Sequence, residues 1–563
     1  MSGKNIVKAE LGRRSFLWGG VGVASLALTG CGSSAKSTAG KASSAADVTL
    51  PTFVPLAGGA APDLPATAAG VPAAYYTYPA APVAAYSAPP LSGGKISAMT
   101  PLFTSPPSGH DANPAWQAVE KALGAKVDIT MIVGDDYDTK LSTTVAGDSL
   151  PDIVVITADP ANLPGLLAAK FADLTPLLGG DKAKQYPHLA AIPTAVWEQC
   201  TSAGKLYFIP IPRNISAGSG FYRQDMFAAA GVNDCRDIKN ADDFLTLLKE
   251  ITVPGKQYGV AGSSGNGGFS AMPFLHIFGV PNMWRLDGGG NLTAHYETDE
   301  YKAAVEFMAK VYKAGCYLPG SQGWTKNQME DAFQSGKAAL IYDGLPGFGV
   351  AYQQAKKISP AAAPAPFVPF GHAGGKGVTW KDNIYFARVA LKKADPARLA
   401  DVLKACDFFA SPFGTKEHML LNFGVEGTDY TLDENHNPVL TAQGKNDTLV
   451  TFKYLSAPTQ AQFYPGQKDL TDLMYKSYTD EIALAVADPT ASLYSPTAGK
   501  KGTALGKAMS DAVAQIITGQ SSLSALDSAV KTWRSNGGDQ IRSEYQQALQ
   551  GGTASTASGT PTK

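Results

Sequence analysis

The chain has 563 residues and a mass of 58.7 kDa, more than one hydrophobic core accommodates, since single cores stop growing near about 250–300 residues. Lys and Arg total 47 against 48 Asp and Glu, a formal charge of −1, so the basic excess of a nucleic-acid binder is absent. Hydrophobic residues make up 44% and charged residues 17%, a foldable but thinly charged composition against a usual charged share of about 25%.

Lys4, Lys8, Arg13 and Arg14 precede an uncharged run from Phe16 to Leu28. A basic region before a short apolar stretch is an export pattern, and the stretch is too short to span a bilayer as a mature helix. Arg13-Arg14-Ser15-Phe16-Leu17 resembles a twin-arginine signal. Leu28-Thr29-Gly30-Cys31 resembles a bacterial lipobox, in which the cysteine is lipidated and becomes the new N-terminus. The expectation is an export signal over residues 1–30 and a lipid on Cys31. No later segment reads as a transmembrane helix, so lipid alone would hold the protein at the outer face of the cytoplasmic membrane.

Residues 31–94 are mostly Ala, Pro, Ser, Gly and Thr, with Lys36, Lys41, Asp47 and Asp63 as their only charges and no apolar periodicity. Such a segment buries too little surface to offset its chain entropy, and a disordered tether is expected. Tyr75, Tyr76, Tyr78 and Tyr86 are unusual in a spacer; they either dock on the folded body or the cell wall, or leave the linker sticky. Residues 551–563 repeat the polar composition and are expected to be a disordered tail.

The body, residues 95–550, alternates strands and helices. Lys95 to Phe103 reads as a strand. Asn113 then caps a helix with Pro114 at its first position, and Trp116, Val119 and Leu123 form its buried stripe. Val127 to Val133 is a strand, Tyr137 to Ala146 a helix, Asp152 to Thr157 an uninterrupted apolar strand, and Leu163 to Lys170 a helix. This β-α-β-α-β order predicts a doubly wound α/β lobe. Gly204 to Pro212 reads as a strand leaving it, limited in pairing by Pro210 and Pro212. Further helices are predicted at Asp242–Glu250, Asp299–Ala314, Lys326–Ser335 and Pro396–Phe409, and strands at Tyr258–Ala261, Ala338–Tyr342 and Asn383–Ala390. Leu505–Thr518 and Ser524–Leu549 make the C-terminal region helical, and Leu432 to Pro438 reads as a hairpin tip.

Several fragments follow in a telling order: Asp152-Ile-Val-Val155, Phe171-Ala-Asp-Leu-Thr175, Gly204-Lys-Leu-Tyr-Phe-Ile-Pro210 and Phe221-Tyr-Arg-Gln-Asp-Met-Phe227. Gly231, Ser335-Gly-Lys-Ala-Ala339, Phe413-Gly-Thr-Lys-Glu417, Gly424-Val-Glu-Gly-Thr-Asp-Tyr430 and Ile516-Ile-Thr-Gly519 complete them. Over nearly all of residues 95–550 the chain resembles the extracellular solute-binding proteins (family 1-like) of bacterial carbohydrate ABC importers, similar to Gram-positive oligosaccharide-binding lipoproteins. The resemblance implies a two-lobed, periplasmic-binding-protein-like (type II) clamshell in which each lobe is a doubly wound mixed sheet flanked by helices. It implies a first lobe of residues 95–212 with about 330–390, and a second of 213–329 with about 391–550. It also implies a carbohydrate ligand, permease subunits as partners, no cofactor and no catalysis. A monomer is expected.

A sugar has apolar C–H faces and a rim of hydroxyls, so it needs flat aromatic surface and Asp, Asn or Arg groups in a cleft that sheds water. In doubly wound sheets that cleft lies beyond the carboxyl ends of the strands. The candidates are therefore Asp111 and Asn113 after the first strand, Thr157 and Asp159 after the third, Arg213 and Tyr222 flanking the first crossing, and Asp343 after Ala338–Tyr342. Trp284, Trp324 and Trp380 join them because they lie in Gly- or Pro-rich loops rather than in apolar stripes. Each has a structural alternative: Asn113 as a helix cap, Arg213 as a carboxylate partner, a loop Trp as a lid on the core. Pro210, Pro212 and Gly218–Gly220 suit a hinge.

No nucleophile-elbow, zinc-protease, P-loop or dinucleotide-binding motif occurs, and the 7 histidines lack metal-ligand spacing. Without a CxxC pair, no zinc is expected. A glycoside-acting enzyme needs only two carboxylates placed by the fold, with Asp343 and Glu426 available, and stays open as an alternative. So do a wall-anchored adhesin and a peptide-binding member of the same fold, which would rely on backbone pairing and end-capture. Cys200, Cys235, Cys316 and Cys406 allow one or two disulfides in an exported protein, with Cys406 read as a buried thiol.

Overall fold

The computed structural model describes residues 48–56, 60–160, 162–213, 218–264 and 268–553. The export signal, Cys31, the first part of the tether and residues 554–563 lie outside these. Nine strands of the described residues form two principal sheets: β1 Lys95–Leu102, β2 Lys126–Val133, β3 Ile153–Ile156, β4 Phe208–Pro212, β5 Phe221–Arg223, β6 Tyr258–Val260, β7 Ala338–Ile341, β8 Pro364–Pro366 and β9 Tyr385–Leu391. The first sheet runs β2-β1-β3-β9-β4, with β1 parallel to β2 and β3, and β9 antiparallel to both of its neighbours. The second runs β8-β5-β7-β6, with β6 and β7 parallel and β5 antiparallel to both β7 and β8.

Local chemistry explains why these elements form. Ile153-Val154-Val155-Ile156 is buried at every position, as a strand covered on both faces requires. Asn113 caps the helix Pro114–Leu123 by accepting from Trp116 N at 2.8 Å, and Gly124 ends it in the left-handed region at φ +81°. Asp395 caps Pro396–Phe409 in the same way, again with proline in the first turn. Each sheet has its own core. Trp197, Phe171, Phe208 and Phe408 fill the first, and Phe227, Phe244, Phe274 and Val305 the second.

The two lobes are assembled from different segments than the resemblance implied. β7 and β8 belong to the second sheet, whereas Leu399, Val402, Phe409, Phe452 and Leu455 lie in the first core. The chain therefore returns to the first lobe through β9 and stays there to about residue 455. The expected return at about 330–390 misplaces β7, which pairs parallel with β6 and antiparallel with β5 in the second sheet. From Lys468 onwards the chain packs on the second lobe, ending in the helices Pro496–Ile517, Ala525–Trp533 and Asp539–Thr553. The last of these includes residues 551–553, the start of the expected tail.

Residues 48–56 and 60–94 are a second correction, for they lie against the body rather than free of it. Val71, Tyr78 and Leu91 are buried, and Ala74–Tyr75 pairs in parallel with Gln462–Phe463. The segment lacks periodicity because its tyrosines fill separate places on the body, Tyr75 and Tyr78 against Phe413, Tyr76 against Lys468 and Tyr86 against Phe408. Cys200, Cys235, Cys316 and Cys406, which left one or two disulfides open, are all free and buried and divide between the two cores. The hairpin tip is present between Tyr430–Leu432 and Pro438–Leu440. No helix among the described residues is long and apolar enough to cross a membrane.

Candidate functional site

Besides the N-terminal segment, three stretches of the chain link the lobes among the described residues: between Pro212 and Phe221, from Pro366 to Tyr385, and from Leu455 to about Lys468. The carboxyl ends of β1, β3, β6 and β7 point toward them. Gly220 lets the first crossing pass the end of β7: its φ is +98°, and a Cβ there would stand 2.3 Å from the Ile341 carbonyl oxygen.

On the first lobe three aromatic rings gather where β1 ends. Phe103 is 57% exposed and meets Phe386 edge-on at 5.8 Å and Tyr454 at 6.0 Å. Phe386 and Tyr454 stack with centroids 5.2 Å apart, and the Arg213 guanidinium lies 5.7 Å from the Phe386 ring. An exposed aromatic held by two others in fixed orientation is a ready-made platform for an apolar face, and a guanidinium beside it donates to hydroxyls. Asp159, after β3, forms an ion pair with Arg388. Tyr494, from the loop before the helix Pro496–Ile517, meets the Asn162 backbone and so reaches from the second lobe to the first.

On the second lobe Tyr342 and Asp343 follow β7. Burial pushes the Tyr342 hydroxyl up to about 12, with Asp382 and Asp343 adding to the shift and Arg213 opposing it, so this tyrosine shares its electrostatic surroundings with the crossing residues. Asp343 accepts from Gly344 N at 2.8 Å and pairs with Lys326 Nζ at 2.7 Å, which lies 3.4 Å from Glu330. Ser264, after β6, donates from its backbone and side chain to the Trp324 carbonyl at 2.9 and 3.1 Å. Beside Arg213 a cavity of about 1140 Å³ is walled by Asp382, Ile384 and Gln460 of the crossings and by Thr67 and Tyr75 of the N-terminal segment.

Of the residues expected from sequence, Arg213, Asp343 and Asp159 stand at strand ends facing this region, and Trp324 stands beside the end of β6. Trp380 is half-buried on the second lobe, where its indole donates to Val280 O at 2.8 Å. Thr157 donates to Asp138 at 2.8 Å. Asp111 is exposed beside His110. The other three serve the fold. Trp284 is buried against Trp533 and Tyr545, Tyr222 is buried with its hydroxyl against Cys235 N, and Asn113 is buried as a helix cap whose amide also donates to Asp447 O at 3.0 Å. The residues missed are Phe386, Tyr454, Tyr342 and Tyr494. Phe103, also missed, and Tyr342 had a signal, each as the last residue of an expected strand; the others had none. No group of three or more potential metal ligands occurs among the described residues.

Burial pushes the Glu330 carboxyl up to about 7, with Asp343 adding to the shift and Lys326 opposing it. A folded-state value above the ordinary 4.5 means the folded protein holds this proton more tightly than the unfolded chain. Its contribution to stability is complete below the unfolded value and is lost as pH rises through the folded one. Glu330→Gln is therefore expected to flatten the fall in Tm between those two pH values, measured by calorimetry across the range; an unchanged slope would contradict the assignment.

A family model described as bacterial extracellular solute-binding protein matches residues 115–423. Lipoprotein LipO of Bacillus subtilis (strain 168) is 24% identical over 478 residues, covering 82% of this chain and 93% of LipO. The polygalacturonan/rhamnogalacturonan-binding protein YtcQ of the same strain is 25% identical over 480 residues, covering 82% of this chain and 92% of YtcQ. The crystal structure of the N-glycan transport solute binding protein NgtS from Streptococcus pneumoniae is similar with a TM-score of 0.58 at 17% identity, over 82% of this chain and 98% of that one. That likeness shows the two-lobed fold.

Proposed function

Since the chain belongs to the bacterial extracellular solute-binding proteins, we propose that it binds a carbohydrate, an oligosaccharide, between its lobes and delivers it unaltered to the permease subunits of an ABC importer. The observation that carries this reading is the exposed Phe103 braced by Phe386 and Tyr454 beside Arg213: an aromatic face with a hydroxyl-binding cation at the carboxyl ends of the strands. The ligand named for YtcQ is of the same class. Lipid on Cys31 would hold the monomer at the outer face of the membrane. Contact with ligand from both lobes would shift the protein to a closed form, since a ligand moves such an equilibrium only by its differential affinity for the two states.

The test is a thermal-shift screen of the mature protein against pectic, N-glycan and fructan oligosaccharides, with short peptides as the contrasting class. A sugar at 100 times its Kd is expected to add about 2.7 kcal/mol of stability and to compact the protein in solution scattering. Stabilisation by peptides alone would overturn the carbohydrate assignment, and cleavage of the sugar would favour the glycoside-acting alternative.

A further inference from the structure

The N-terminal segment touches the first lobe, then the second, then the first again. At its start Thr52 N donates to Gly180 O and Val54 N to Ala190 O, at 3.1 and 2.9 Å. Val71 then packs with Phe221, Leu470 and Tyr478 in a core of the second lobe. The Tyr76 hydroxyl donates to Asp472 Oδ1 at 2.6 Å, and the Lys468 ammonium lies 4.1 Å from its ring; both partners belong to the helix Lys468–Ile482. Tyr475 of that helix donates to Pro65 O at 2.7 Å. Two residues beyond Tyr76, Tyr78 is buried on the other side. Its hydroxyl donates to Thr415 O and its backbone N–H to Asn437 Oδ1, both at 2.9 Å. Thr415 caps the helix Lys416–Phe423, which packs on the first-lobe helix Pro114–Leu123. Farther on, Tyr86 donates to Asp407 at 2.6 Å, and Leu91 N donates to Leu123 O at 3.1 Å.

The anchors on the two lobes are thus separated by one residue, Thr77. Two residues of chain span at most about 7 Å when fully extended. While both anchors hold, the Asp472 and Thr415 neighbourhoods have little slack between them. We infer that residues 60–94 act as a length-limited latch between the lobes, a fourth link beside the three crossings, and that this latch bounds how far the groove opens. The inference rests on the lobe movement proposed above but not on the identity of the ligand.

Inserting a flexible Gly-Ser stretch after Thr77 keeps both anchors and removes only the length limit. Spin labels at Lys121→Cys on the first lobe and Lys310→Cys on the second, in a Cys31→Ser background, report the interlobe distance, the thiols of Cys200, Cys235, Cys316 and Cys406 being buried. In ligand-free full-length protein, the insert is expected to broaden and lengthen the distance distribution with little change in Tm. Tyr76→Phe, which removes the Asp472 bond alone, is expected to move it the same way by less, and it decides the matter should the insert fail to fold. Distributions unchanged by both variants would overturn the latch. Because the measurement needs no ligand, an unsuccessful sugar screen leaves its outcome intact.

Discussion

Phe103→Ala and Tyr454→Ala are each expected to weaken carbohydrate binding by about 30-fold, and the double variant to bring it below detection. Truncating a ring at the centre of a binding surface typically costs about 2 kcal/mol or more, and such rings are few. Phe103 is the better probe because it is 57% exposed: little of the folding energy depends on it, so the loss should appear in affinity and not in Tm. Tyr454 stacks on Phe386, so its removal also withdraws a support from Phe103 and should cost some stability, about 0.5–1.5 kcal/mol. Phe103→Trp keeps a flat apolar face and should retain most of the affinity. Titration calorimetry with the best sugar from the screen, beside melting curves of each variant, separates the two effects. Full affinity in Phe103→Ala would remove the platform from the binding site.

How much of this was legible beforehand depends on the range of the interaction. Asn113-Pro114 before an apolar stripe is a local signal, and the helix starts there as read. The all-buried run Ile153–Ile156 is legible for the same reason. Strand membership is not local. Ala338–Ile341 reads as an apolar strand in either lobe, and only its pairing with β5 and β6 assigns it to the second. Trp284 illustrates the same limit in the site. Its Gly-rich surroundings suggested a loop open to ligand, but the hairpin that carries it lies against Trp533 and Tyr545, some 250 residues farther on. Tyr454 carried no signal, since nothing near it in sequence tells that it will stack on Phe386. The four tyrosines of the N-terminal segment were conspicuous by residue type, yet the partners that receive them are distant in sequence, Asp472 for Tyr76, Thr415 for Tyr78, and Asp407 and His188 for Tyr86.

Asp407→Ala is expected to cost about 3–5 kcal/mol of folding stability, because three donors lose their acceptor in the dry interior. The carboxylate is 2% exposed and accepts from His188 N at 2.8 Å, Leu189 N at 2.9 Å and the Tyr86 hydroxyl at 2.6 Å. Burial raises its pKa, while His188, the Tyr86 hydroxyl and the two backbone amides act in the other direction. The group thus ties a helix of the first lobe, the turn at residues 187–190 and the returning end of the N-terminal segment to one point. Asp407→Asn keeps an oxygen for the two backbone amides, and the Tyr86 hydroxyl can turn to accept from the new amide, so its cost should be smaller, about 1–2 kcal/mol. Tyr86→Phe removes one donor and leaves the other two satisfied. Combined with Asp407→Ala it should add little further loss, since both variants break the same bond. Urea unfolding checks this through the midpoint at constant m. A stability for Asp407→Ala, from midpoint and m, within about 1 kcal/mol of the unaltered chain would mean that water reaches these amides after all, and the segment would then be held mainly by Tyr76 and Tyr78.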